Sequence, residues 1–150
     1  MRKSTVSIII FTLILLSCYG CGRKGPAVCY VEGIVTFQNA PLDKANVSFV
    51  PVDPDSGTLF ATGMTDAEGK FVLTATQGGA SQKGTTPGEY RVVILRNKDT
   101  PKGYMPGMNA DDKVPLYDSL IPDKYTDVQQ TPLKAVVEKK KNVFDFPLKP

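Results

Sequence analysis

Histidine and tryptophan are both absent from this 150-residue chain, and it has only three cysteines. Without histidine no Ser-His-Asp triad or Cys-His pair can form, which closes the commonest routes to nucleophilic hydrolysis. Zinc sites draw on histidine and cysteine, and too little of either is present. A Ser-Lys dyad survives on composition, but no spacing singles one out. The longest apolar run, Val6 to Leu16, is about eleven residues, short of the roughly 17–25 that a membrane-spanning helix needs. Surplus charge is small as well: Lys and Arg number 18 against 15 Asp and Glu. A phosphate backbone calls for clustered, surplus cations, so nucleic acid is not expected as a partner. No cofactor is expected either.

What is present begins at the N-terminus. Arg2 and Lys3 precede the apolar run, which closes on Leu15-Leu16-Ser17-Cys18. A basic start, a short greasy core, a small residue and then cysteine resemble a bacterial lipoprotein signal peptide. That resemblance implies a diacylglycerol thioether on Cys18, cleavage after Ser17 and acylation of the new terminus. Several acyl chains, at about 0.8 kcal/mol per buried CH₂, would anchor the protein to a membrane without a spanning helix. An uncleaved short anchor and an ordinary secretory peptide are the alternatives. Cys21 is the weaker modification site, because bulky Tyr19 lies close to its cut.

Cleavage removes Arg2 and Lys3 and leaves the charges nearly balanced. Cys21 and Cys29 remain as an even pair in a chain bound for an oxidising envelope; a disulfide and two free thiols are both open. The expected division is signal peptide 1–17, lipidated tether 18–28 rich in glycine, and one domain at 29–150.

Thirteen glycines, twelve prolines and many β-branched residues favour a turn-rich all-β domain. Val31, Gly33, Val35 and Phe37 alternate with Glu32 and Thr36, Ile34 being the exception on the second face. Ala45, Val47 and Phe49 alternate in the same way. Leu59–Thr65 and Lys70–Thr76 read as strands joined by a hairpin turn at Asp66–Gly69. Gln77–Pro87 reads as a loop, Gly88–Arg96 as the strongest strand, and Asn97–Thr131 as a long functional or mobile loop. Within it Leu120, Ile121 and Tyr125 are apolar enough to pack back on the body. Leu133–Val137 and Val143–Leu148 follow, with Lys139-Lys140-Lys141 as a solvated hairpin tip. About seven short strands and no convincing helix indicate a β-sandwich.

Val31–Phe37 with Ala40-Pro41-Leu42 and Ala45–Phe49 resembles the opening of carboxypeptidase regulatory-like (transthyretin-like) domains. Thr65–Phe71 resembles their hairpin, and Pro87–Val92 a later strand. Leu120–Tyr125 and Asn142–Leu148 resemble a bacterial lipoprotein subgroup. The resemblance covers most of 30–148 and implies a seven-stranded prealbumin-like or Ig-like sandwich, usually non-catalytic and often at the cell surface. Gly33, Gly69 and Gly88 would then allow tight backbone geometry, Asp66 would hold nearby backbone N–H groups, and the Tyr90 hydroxyl would reach a loop carbonyl.

Other motifs fail on context. Gly20–Gly25 matches Gly-x-Gly-x-x-Gly without a following helix, and Gly79–Gly84 has P-loop spacing with Thr85 where lysine belongs. Asp53, Asp55, Asp111 and Asp112 are oxygen donors without EF-hand spacing. Lys44 and Asn142 are a guess for an intramolecular crosslink of the kind found in related surface sandwiches. Tyr104, Tyr117 and Tyr125 are the candidate ligand surface, for a glycan or a partner. The expectation is a lipid-anchored, non-enzymatic envelope module that meets a protein; the alternative is a carbohydrate-binding surface built on 97–131.

Overall fold

The computed structural model describes residues 26–106 and 113–150, and for 106 and 113–115 the backbone alone. Two sheets pack face to face as a sandwich. The first carries β3 (Asn46–Pro51), β4 (Ala61–Met64), β6 (Thr74–Gln77), β7 (Ala80–Lys83), β8 (Gly88–Leu95) and β11 (Lys134–Val137), in the order β11-β8-β3-β4-β6-β7. The second is built around β1 (Val31–Phe37). Along one side β1 runs parallel to β12 (Asn142–Leu148); along the other it pairs with β2 (Ala40–Pro41) and β5 (Lys70–Val72). Seven strands form the body if β5 and β6 count as one bent strand: β1, β3, β4, β5–β6, β8, β11 and β12. The all-β sandwich read from the residues is the architecture found.

Alternation decides which faces meet. Val31, Val35, Ala45, Val47 and Phe49 are fully buried, whereas Ile34 is exposed. Phe49 lies at the centre, with ring centroids 5.7 Å from Tyr90, 5.6 Å from Phe144 and 6.2 Å from Phe146. Burying a side chain of this size stabilises the fold by about 1.5–3 kcal/mol. Gly33 lies where the backbone of β12 and the Phe71 ring close in: a Cβ there would sit 2.0 Å from the Phe144 carbonyl oxygen. Gly69 supplies a left-handed φ of +73° in the turn before β5. Asp66 Oδ1 accepts from the amides of Glu68 (3.0 Å) and Lys70 (2.8 Å) in that same turn.

Several expectations need correction. Lys70–Thr76 is not one strand in one sheet: the Leu73 amide donates to Val31 and the chain crosses from β5 to β6 there. The turn at Asp66–Gly69 therefore joins strands of different sheets. Gln77–Pro87 contains β7, paired with β6 through a turn at Gly78-Gly79. Lys139-Lys140-Lys141 is no hairpin tip, since β11 pairs with β8 and β12 with β1; the lysines lie on the connection between sheets. The 97–131 segment contains a two-stranded ladder, β9 (Gly103–Pro106) with β10 (Lys113–Leu116). Ile121 and Tyr125 pack into the core as expected, while Leu120 stays exposed.

Candidate functional site

The two ends of the sandwich are closed by different chemistry. At one end the chain comes in through Pro26 and Ala27, which share a cleft of about 480 Å³ with Cys29, Thr86, Pro87 and Lys139. Cys29 forms a backbone bridge with Thr85. Beneath it the Tyr90 hydroxyl donates to the Thr86 carbonyl at 2.7 Å, the loop-carbonyl bond expected from the residues. Thr85 Oγ1 donates to Leu59 at 2.7 Å, and the two threonine hydroxyls lie 3.2 and 3.0 Å from the Tyr90 oxygen.

At the other end, β8 is followed by Arg96, whose side chain is 8 % exposed. Its Nε donates to the Asp43 carbonyl at 2.7 Å, and its guanidinium reaches the carboxylates of Asp99 (3.2 Å) and Asp43 (3.5 Å) and the Asn97 carbonyl. The buried cation ties the turn before β3 to the segment after β8. Around it Lys44 lies 3.9 Å from Asp99, and Asp118 takes Lys102 at 2.7 Å and Lys98 at 3.7 Å. The Arg96 hydrogen bond, then its charge, hold the Asp99 carboxyl below the usual carboxylate range. The Lys102 hydrogen bond lowers Asp118 in the same way and is itself raised by it. These groups border a cleft of about 560 Å³ lined by Lys44, Asn46, Leu95, Arg96, Asn97, Lys98, Asp99 and Tyr117.

A third depression, about 650 Å³, lies on the outer face of the β1 sheet. Ile34, Met64 and Val143 line it and are all exposed. At its rim the Lys141 hydrogen bond, 2.7 Å, draws the Glu32 carboxyl down and raises Lys141 in return.

The three candidate tyrosines do not form one surface. Tyr125 is 5 % exposed, and its hydroxyl donates to the Lys149 carbonyl at 3.1 Å and accepts from the Lys149 amide at 3.0 Å. The tyrosine belongs to the core, because its ring fills space beside Ile121 that the sheets leave open. Tyr104 is exposed on β9 and borders none of these clefts; Tyr117 alone joins one. Lys44 and Asn142 lie at opposite ends: Asn142 starts β12 beside Val31 and bonds Glu138 and Lys140. They cannot crosslink. Asp53 caps a short 3-10 turn at Pro54–Ser56 by accepting from the Asp55 amide. Among the described residues no three His, Cys, Asp or Glu side chains cluster for a metal. Cys18, Cys21, Asp111 and Asp112 lie outside the described residues, and with Cys21 goes its possible pairing to Cys29.

Reading along the chain misses most of the charged cleft, since Lys44, Arg96 and Tyr117 are dozens of residues apart. One signal was available: Val92-Val93-Ile94-Leu95 runs into Arg96, and an arginine closing so apolar a strand needs partners.

No family model matches the chain, and no curated protein matches it. Among solved structures, a DUF3823 family protein from Parabacteroides merdae is similar at 15 % identity and a TM-score of 0.40, over 85 % of this chain. The match takes in 48 % of that protein, so the chain spans about half its length.

Proposed function

We propose that this chain is a lipid-anchored, non-enzymatic β-sandwich of a bacterial cell envelope, an interaction module held at a membrane by Cys18. The observation that carries the reading is Leu15-Leu16-Ser17-Cys18 standing eleven residues before Cys29, which pairs with Thr85 at the end of the sandwich. Eleven residues extended reach at most about 36–40 Å, enough to clear a headgroup layer while keeping the domain close. Among the described residues no helix is long and apolar enough to cross a membrane. The buried polar side chains support a binding or structural role: Thr85, Thr86, Tyr90, Arg96 and Asn142 all spend their hydrogen bonds on the fold itself. A catalytic group would instead be directed at a substrate.

A Cys18→Ser variant expressed beside the parent chain tests the anchor. The parent should take up labelled palmitate and sediment with membranes; the variant should do neither. A variant that still fractionates with membranes and keeps the parent's processed size would overturn the reading.

A further inference from the structure

The charged cleft carries features that closing the fold does not require. Lys44 holds a left-handed φ of +52°, a conformation that costs a non-glycine residue about 1 kcal/mol or more. The Arg96 bond to the preceding carbonyl, at Asp43, pins that turn. Asn46 accepts from Ser48 Oγ and Thr62 Oγ1, both at 3.0 Å, through the same Oδ1. Asn46 is held by these two bonds and lines the cleft. Leu95, 45 % exposed, and Tyr117, 40 % exposed, add apolar surface to that wall.

The chemistry narrows the ligand. Lys44, Arg96, Lys98 and Lys102 interlace with Asp43, Asp99 and Asp118, so the positive charges are largely matched. An anion such as phosphate prefers unmatched cations, and a purely apolar ligand would strip the water from these ion pairs without replacing it. A polyhydroxyl ligand satisfies both demands. Each hydroxyl donates and accepts, and the C–H face of a sugar ring can lie on tyrosine and leucine. The cleft volume, about 560 Å³, falls within the roughly 300–1,000 Å³ of small-ligand sites. The geometry points to a neutral oligosaccharide as the ligand, held by Tyr117, Leu95, Asn46, Lys44, Lys98 and Asp99. Its orientation rests on the anchor reading: the cleft lies a strand length, about 23 Å, from the Pro26 end and so away from the bilayer. Binding itself does not depend on the anchor.

The experiment is calorimetric titration of the full chain in mild detergent. Maltohexaose, cellohexaose, xylohexaose and chitohexaose serve as neutral probes; an oligogalacturonate and inorganic phosphate serve as anionic ones. At least one neutral hexasaccharide should saturate the protein. Tyr117→Ala should weaken that binding about tenfold or more, as loss of an aromatic anchor does. Lys98→Gln should weaken it severalfold, and Tyr104→Ala should leave it unchanged. Tyr117→Phe, which keeps the ring, should retain most of the affinity. Should Tyr117→Ala fail to fold, Lys98→Gln decides, because that side chain is 54 % exposed. No neutral saccharide bound, anionic probes alone bound, or binding untouched by the Tyr117 and Lys98 changes would each overturn the proposal. If binding persists while Cys18→Ser stays on membranes, the anchor reading falls alone.

Discussion

The two ends of this sandwich solve one problem in opposite ways. Both must stop water from entering between the sheets where the strands run out. At the Pro26 end the plug is neutral: a fully buried tyrosine ring whose hydroxyl meets two threonines and a backbone carbonyl. At the Arg96 end the plug is a buried cation under partly exposed carboxylates. The neutral plug is buried, and the cleft of about 480 Å³ above it is lined by no carboxylate. The charged plug cannot be buried completely without a large desolvation cost, so its partners stay at the surface and the end stays open.

The largest break in that comparison should come from the neutral end. Tyr90→Ala removes a buried ring that touches Phe49 and should cost roughly 3–5 kcal/mol in urea unfolding. At the charged end Arg96→Met keeps the volume but strands Asp43 and Asp99. Since those carboxylates are 46 % and 68 % exposed, water recovers part of the loss, and about 2 kcal/mol is expected instead of the 3–5 of a fully buried pair. Hydrogen exchange should then quicken at 43–46 and 95–99 and stay slow at 84–90. Tyr90→Phe sharpens the contrast by deleting the hydroxyl alone, at about 1 kcal/mol, with exchange quickening at 84–88.

Acidity should separate the ends with the smallest effect. Asp99 and Asp118 titrate lower folded than their ordinary 3.8, so their contribution is complete above about pH 4 and disappears as pH falls through the folded values. Lys102 is raised above 10.5, so its contribution holds below that value and is lost as pH climbs through the folded one. No histidine titrates between these limits. Exchange measured at about pH 3 should rise first at 95–99, at 118 and beside the Glu32–Lys141 pair, ahead of 84–88, where the threonine–tyrosine plug contains no carboxylate.

How much of this was readable from residues follows from the range of the interactions. Alternation gave the inward faces of β1 and β3, because a period of two survives wherever one face is buried. Asp66 and Tyr90 were legible since their partners lie within five residues. Strand β7 was not: Ala80-Ser81-Gln82-Lys83 is exposed along its whole length and has no alternation to read. The parallel pairing of β1 with β12 joins residues more than a hundred apart, and nothing local announces it. The same distance hid the charged cleft. Tyr117 was singled out as an aromatic in a polar segment, but its neighbours Lys44 and Arg96 come from the turn before β3 and the segment after β8. Tyr125, chosen by the same criterion, turned inward because Ile121 beside it is also core.

Intact-mass spectrometry of the chain purified from membranes tests the central claim most directly. The account predicts a species beginning at residue 18, heavier than the polypeptide by a diacylglycerol and one further acyl chain, with fragmentation placing the lipid on the Cys18 sulfur. A membrane-derived species that retains residues 1–17, or begins elsewhere with an unmodified Cys18, would contradict it.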